Sequence, residues 1–341
     1  MSAPRPLRTA VVGWGTAGAV FHGPLLAADP EFTVDVVVTR DPARAAAARA
    51  ALPGVAVVTS PGEVLARRDE LDLVVASPPA THVDLATRTL QAGLATVVDK
   101  PLAVDAAGAR KLLDVAAATR TPLTVFQNRR WDGDFLTLRR LLAEGTLGRV
   151  HRFASRFTWW EPAGGKAWKM DAPVADGGGI LADLGTHLVD QALQLFGPVD
   201  SVTAELDRRR PGPGPEDDAF VALHHRSGVR SHLWMSAVAA LPGPRFHVLG
   251  ERGAFAVDGL DPQEAQLAAG LGPGSAGYGV RTAPARGGTV DAPAEVPVAP
   301  GDYAAFYRGL AGALLRGGPL PVEAADAVAV LDVLDRVRAA A

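Results

Sequence analysis

Short apolar runs recur through the first third of the chain, each followed by a stretch with helical spacing. The runs are Thr9 to Val12, FTVDVVVTR (32–40), VAVVTS (55–60), LDLVVAS (71–77), ATVVDKPLA (95–103) and PLTVFQ (122–127). Helices are predicted after the first run, from Pro42 to about Leu52, from Pro61 to Arg68, from His82 to Ala92 and from Ala106 to Ala118. Continuous apolar strands alternating with helices predict a parallel sheet covered on both faces. Residues 1–125 therefore read as a doubly wound α/β domain, with ligands expected at the carboxyl ends of its strands.

Beyond residue 125 the pattern changes. Asp134 to Glu144 read as a helix, and RVHRFASRFTWW (149–160) shows the apolar–polar alternation of a half-buried strand. ILADLGTHLVDQALQLFG (180–197) is amphipathic at helical period and is stopped by Gly197. A succession of β-rich runs follows: VDSVTAEL, DAFVALHH, VRSHLWMSAV, RFHVLG and GAFAVDG. Such a series predicts an open, mostly antiparallel sheet with helices on one face, so residues 126–341 form an α+β domain. Residues 261–300, rich in Gly, Pro and Ala, read as irregular loops, and helices close the chain at about 302–316 and 323–340.

The turn after the first strand carries the most specific signal. Gly13, Gly15 and Gly18 fall in a G-x-G-x-x-G spacing between a strand and a helix. Gly13 lets the chain turn out of the strand, Gly15 lets backbone approach a pyrophosphate, and Gly18 lets the helix sit against the strand. Gly13, Trp14, Gly15, Thr16 and Ala17 would thus cradle a dinucleotide at the helix N-terminus. Thr39 and Arg40 end the second strand, where an NAD site would place an acid. A hydroxyl and a guanidinium suit a 2′-phosphate, so NADP is expected rather than NAD. The alternative is that Arg40 points to solvent and Asp41 takes the acidic role. The turn after the fourth strand (Ser77, Pro78, Pro79), His82, and Asp99-Lys100 complete the expected cofactor lining.

Composition narrows the classes. The 341 residues are 48% hydrophobic and 21% charged with a net charge of −3, so neither nucleic acid nor an acidic membrane surface is an expected partner. The chain has no cysteine, which excludes disulfides, thiolate metal sites and cysteine nucleophiles. No metal site is expected, since no second histidine clusters with His187. No apolar leader or membrane-length stretch is present, and a cytoplasmic location is expected.

Three places carry candidate chemistry. Lys100, next to Asp99 at a strand end, would have its proton affinity lowered beside a positive nicotinamide and could act as acid or base. Asp183 and His187 stand at i and i+4 on one helix face, a carboxylate beside an imidazole, with Asp190 three residues further on. FQNRRWD (126–132) leaves the sixth strand at the domain junction, where Asn128, Arg129, Trp131 and Asp132 could meet a polyhydroxylated substrate. Read alone, Lys100 could equally be a turn lysine, the Asp183–His187 pair a surface pair, and Trp131 a core staple.

Together these segments resemble the Gfo/Idh/MocA oxidoreductase family, over nearly the whole chain. GWGTAGAVFHGPLL, LDLVVASPPATH, VVDKPLA and GGGILADLGTHLVDQALQLFG carry the likeness. VFQNRRWDGDFLTLRRLLAEGTLG, GLDPQEAQL and GDYAAFY are similar to the family's NADP-dependent scyllo-inositol dehydrogenase branch, although Gln127 stands where that branch often has His. The resemblance implies a Rossmann domain, a second domain used for oligomerisation as a homodimer or homotetramer, and a catalytic Lys100 with Asp183 and His187. It places Arg129 beside the substrate, with Tyr303 or Tyr307 contributed from the C-terminal region. The implied reaction is hydride transfer between NADP and a secondary alcohol of a cyclic polyol or sugar, scyllo-inositol to its 2-ketone by preference. A keto-sugar reductase, with a substrate that could be nucleotide-linked, and a non-catalytic dinucleotide-binding sugar sensor are the alternatives. The segment 161–176 matches no familiar pattern.

Overall fold

A computed structural model describes residues 5–77, 81–163 and 172–341. Pro78 and Pro79, expected in the cofactor lining, lie outside them.

Six strands form one parallel sheet in the order β3-β2-β1-β4-β5-β6. They are β1 (Leu7–Val12), β2 (Phe32–Val38), β3 (Ala56–Val58), β4 (Leu73–Ala76), β5 (Ala95–Asp99) and β6 (Leu123–Phe126). The order reverses beside β1, which opens the crevice where doubly wound sheets bind ligands. Helices α1 (Gly23–Ala27), α2 (Pro42–Ala51), α3 (Pro61–Ala66), α4 (His82–Gln91) and α5 (Ala106–Thr119) connect the strands. Strands β1, β4, β5 and the edge strand β6 are buried nearly throughout, as their unbroken apolar runs require.

Gly13 and Gly18 meet the backbone needs that their spacing predicts. Gly13 has φ +98°, a conformation L side chains rarely adopt. A Cβ on Gly18 would run into the Gly13 carbonyl oxygen. A Cβ on Gly15 would meet only the Arg44 guanidinium, at 3.8 Å, so that position faces open space. The helix they open differs from a plain α-helix: it starts as a π-helical turn, Ala17–His22, before α1.

The second sheet has eight strands in the order β14-β13-β12-β11-β7-β10-β9-β8. Its strands are β7 (Val150–Thr158), β8 (Val199–Asp207), β9 (Asp218–His225), β10 (Arg230–Ser236), β11 (Phe246–Gly250), β12 (Ala254–Val257), β13 (Ala285–Gly288) and β14 (Pro293–Val296). All pairings are antiparallel except β7 with β10. Strict alternation puts Phe153, Phe157, Val221, Leu233, Phe246 and Phe255 inside. Helix α6 (Gly133–Ala143) follows the junction, and α7 (Thr186–Phe196) packs on β7 and β10.

Two expectations need correction. Residues 261–300 are not uniformly irregular: they hold α8 (Gln263–Ala268) and the edge strands β13 and β14. Those strands carry few apolar side chains and are joined through backbone pairing, which leaves no hydrophobic period to read. The last helices, α9 (Ala304–Arg316) and α10 (Ala324–Ala340), also reach the first domain: α9 packs on α1, and α10 on both sheets. Helix α10 packs against α5, β6, α7 and β8, and Thr124 Oγ1 donates to the Val322 carbonyl at 2.7 Å.

Candidate active site

The carboxyl edge of the first sheet meets the second domain at Lys100. Strand β5 ends at Asp99, and Lys100 follows, joined to Pro101 by a cis peptide. The Lys100 side chain is 16% exposed, and its Nζ donates to Asp183 Oδ1 at 2.8 Å and to the Asp183 carbonyl at 2.6 Å. An 83-residue separation is thereby closed by one ammonium.

Asp183 does not sit on a regular α-helix. It belongs to a π-helical turn, Leu181–Gly185, that runs into α7. His187 follows in the first turn of α7 and is buried, with its Nδ1 unpartnered. Burial, then the charges of Lys100 and Arg129, push its pKa well below the usual imidazole value against the pull of Asp183. The imidazole is therefore neutral near pH 7 and can accept a proton.

His82 and Ser77 line the neighbouring turn. His82 Nδ1 lies 2.7 Å from the Pro101 carbonyl, so Nδ1 carries the hydrogen and Nε2 does not. Burial is the main influence lowering the His82 pKa. His22 is fully buried beside it. Its Nδ1 lies 2.7 Å from the Tyr307 hydroxyl, and burial followed by the His82 charge lowers its pKa to about 3.

At the outer end of the crevice, Thr39 and Arg40 lie just past β2, and Arg40 is exposed, its Nε 3.4 Å from the Thr59 carbonyl. Asp41 is occupied otherwise. Its carboxylate caps α2 by accepting from Ala43 N at 2.8 Å and Arg44 N at 3.2 Å. The turned Gly13, the open space at Gly15 and these exposed cations fit a dinucleotide with its phosphates on the helix N-terminus. Trp14 is buried and backs this loop, while Thr16 is exposed and Ala17 half-buried at its rim.

The Asn128–Trp131 segment is a 3-10 turn that divides its tasks. Asn128 is buried, and Trp131 packs edge-on against Phe306 with ring centres 5.8 Å apart. Arg130 forks onto Asp190 at 2.6 and 2.9 Å and reaches Asp326 at 3.0 Å. Asp190 therefore belongs to this staple and not to the Asp183–His187 group. Arg129 stacks 4.6 Å over Phe157 and donates to Glu264 Oε2 at 2.7 Å, with Asp132 Oδ2 3.5 Å from its other end. Asp132 shares a buried pocket with Asp134 and Asp261. Burial chiefly, opposed by Arg129, pushes the Asp132 pKa up to about 8.

Tyr303, expected at the substrate, is fully buried and spends its hydroxyl on Asp132 Oδ1 at 2.8 Å. It supports Arg129 from behind. The adjacent histidines of β9 point to opposite faces, His224 outward and His225 inward between Gly197 O and Ser231 Oγ. Glu264 lies in the Gly-, Pro- and Ala-rich stretch whose pattern predicts loop, and only the GLDPQEAQL resemblance touches it. The local signal was Asp261-Pro262 ahead of Gln263-Glu264, an acidic helix start. Among the described residues no group of three acidic or imidazole side chains is placed to hold a metal, and no helix is long and apolar enough to cross a membrane.

Comparison with known proteins identifies the family of the chain. Residues 7–127 match the model of an oxidoreductase family with an NAD-binding Rossmann fold, and residues 135–256 match a GFO/IDH/MocA C-terminal domain. The chain is 37% identical to the uncharacterized oxidoreductase YdgJ of Escherichia coli strain K12, covering 96% of this chain and 94% of that protein. It is 28% identical to scyllo-inositol 2-dehydrogenase (NADP(+)) IolW of Bacillus subtilis, over 96% of this chain and 92% of that one. A solved oxidoreductase structure from Bacillus cereus superposes with a TM-score of 0.87 at 27% identity, covering 98% of this chain and 96% of that one.

Proposed function

We propose, from the premise that the chain belongs to the Gfo/Idh/MocA oxidoreductase family, that it is an NADP-dependent dehydrogenase acting on a secondary alcohol of a cyclic polyol or sugar. The inositol ring is the preferred substrate, in line with the name of the Bacillus subtilis relative. One observation carries the reading: an ammonium from the dinucleotide domain meets Asp183 at 2.8 Å, one helical turn from a neutral, buried His187.

The dinucleotide, when bound, supplies the hydride acceptor for alcohol oxidation. His187 takes the hydroxyl proton, since its lowered pKa keeps the ring neutral and open to accept one. Lys100 hydrogen-bonds the reacting oxygen and stabilises the charge that develops there. Asp183 orients that ammonium from the side away from the substrate and balances its charge. Arg129 and Asn128 orient neighbouring hydroxyls. Ser77, His82 and Asp99 shape the nicotinamide side of the crevice, and Arg40 with Thr39 receives the 2′-phosphate, since Asp41 is engaged in capping α2. The outer face of the eight-stranded sheet, with half-buried Phe220 and Trp234 and exposed Trp160 and Leu241, pairs with a second copy as a homodimer or homotetramer.

The test is steady-state reduction of NADP and of NAD with a panel of inositols and sugars. Turnover of a cyclic polyol with NADP, reduced about 10²- to 10⁴-fold by His187→Ala, is expected. Absence of turnover across the panel with either dinucleotide would overturn the reading.

A further inference from the structure

We infer that Glu264 sets the charge of substrate the cleft accepts, balancing Arg129 so that neutral polyols enter and anionic sugars such as uronates and sugar phosphates are turned away. The inference rests on the proposed placement of substrate between Lys100, His187 and Arg129.

The D-P-Q-E segment is built to hold one carboxylate in place. Asp261 Oδ1 accepts from Gln263 N and Nε2, both at 2.9 Å, and its Oδ2 accepts from Gly133 N at 2.8 Å. Gln263 in turn donates to the Trp131 carbonyl at 3.1 Å and accepts from Tyr303 N at 2.7 Å. Both side chains are buried, so the segment is clipped to the same turn that presents Arg129. Helix α8, which carries Glu264, packs against the Ala17–His22 turn that follows the dinucleotide glycines. The helix that carries Glu264 thus borders the dinucleotide turn while Glu264 itself meets Arg129.

The pair is asymmetric. Arg129 is 7% exposed, whereas Glu264 is 49% exposed, and Arg129 Nε is buried without a partner. A guanidinium held that deep, with a donor unused, would attract an anion strongly if left uncompensated. Gln191, four residues after His187 on α7, donates to the Arg129 carbonyl at 2.8 Å, which holds the Arg129 turn against the helix that bears His187. Asp132 lies farther off, its Oδ2 3.5 Å from Arg129, and its Oδ1 is taken by the Tyr303 hydroxyl. Glu264 is the nearer carboxylate, at 2.7 Å, and the one that solvent reaches. Lys100 is likewise matched by Asp183. An anionic substrate would thus find each of these cations already matched and would face two carboxylates, whereas hydroxyls can still bond to the spare donors.

The experiment compares kcat/KM for an inositol with that for its monophosphate, and for a hexose with that for the matching hexuronate, in wild type and Glu264→Gln. The glutamine keeps the contact to Arg129 and removes the charge. The neutral-to-anionic ratio of kcat/KM should fall by about 10- to 100-fold in Glu264→Gln, the size of one charge-assisted hydrogen bond, whatever common change the variant makes to both substrates. Glu264→Ala should lower the ratio in the same direction, and the half-exposed position makes both variants compatible with folding. An unmoved ratio in folded variants, or a wild type that handles both charges equally, overturns the inference. If wild type turns over no polyol, the functional reading has failed. Binding of glucuronate to the NADPH-loaded protein, tighter in Glu264→Gln than in wild type, then decides the inference alone, and equal binding refutes it.

Discussion

Replacing Lys100 with Met and Asp183 with Asn should move the His187 titration in opposite directions. Lys100 Nζ lies within 2.8 Å of Asp183 Oδ1, and Asp183 precedes His187 by one helical turn. Residues so spaced have Cβ atoms about 5–6 Å apart, so both charges act on the imidazole from about 6–8 Å. At an effective dielectric of about 20–40, a unit charge at that range is worth about 1–3 kcal/mol, or about 1–2 pK units. Lys100→Met removes a cation that disfavours imidazolium, so the acid limb of kcat/KM should rise by that amount. Asp183→Asn removes an anion that favours it, so the limb should fall. Both variants should also lose about 10²- to 10⁴-fold in kcat. The pH dependence of kcat/KM reads the limb, and NMR titration of the His187 ring in the free protein reads it without turnover. Shifts of the same sign in both variants, or none in either, would refute the electrostatic assignment.

Three further outcomes are expected. Arg40→Ala should weaken NADPH relative to NADH by about 5- to 30-fold in fluorescence titrations, since an exposed charge-assisted phosphate contact contributes about 1–2 kcal/mol; an unchanged ratio removes Arg40 from 2′-phosphate recognition. Arg130→Met should cost about 3–5 kcal/mol in urea unfolding, because Asp190 is left buried without its fork; a loss under 1 kcal/mol would show that the pair is dispensable. His22, lowered from 6.5 to about 3, contributes stability that is fully present above pH 6.5 and is lost as pH falls toward 3. The loss across that window reaches about 5 kcal/mol, so His22→Asn should give a flatter decline of urea midpoints with acid; parallel declines would contradict it.

Local pattern made much of this legible. The six apolar runs announced the first sheet because β1, β4, β5 and β6 are buried nearly throughout, and Gly13 and Gly18 each meet a steric need within a few residues. What escaped was contact across distance. Spacing placed Asp183 and His187 on one helix face, but a π-helical turn and Lys100, far away in sequence, decide where the carboxylate goes. Tyr303 read as a substrate contact, yet α9 carries it into the junction and Asp132 takes its hydroxyl. Edge strands β13 and β14 left no apolar period, and with them Glu264 vanished into an apparent loop.

The adjacent arginines of the junction show how one short turn couples fold to chemistry. Arg130 faces the interior, where Asp190 of α7 and Asp326 of α10 hold it, so it ties the helix bearing His187 to the helix that spans both sheets. Gln191, on the same α7, donates to the Arg129 carbonyl at 2.8 Å and accepts from the buried Arg245 at 2.7 Å. The backbone of Arg129 is thus fixed by its neighbour's ion pairs and by α7, while its guanidinium lies between Phe157 and Glu264. Two residues of one type therefore answer to different pressures. Substituting Arg130 acts first on stability and reaches the cleft only by loosening Arg129, whereas changes at Arg129 or Glu264 act on the cleft directly.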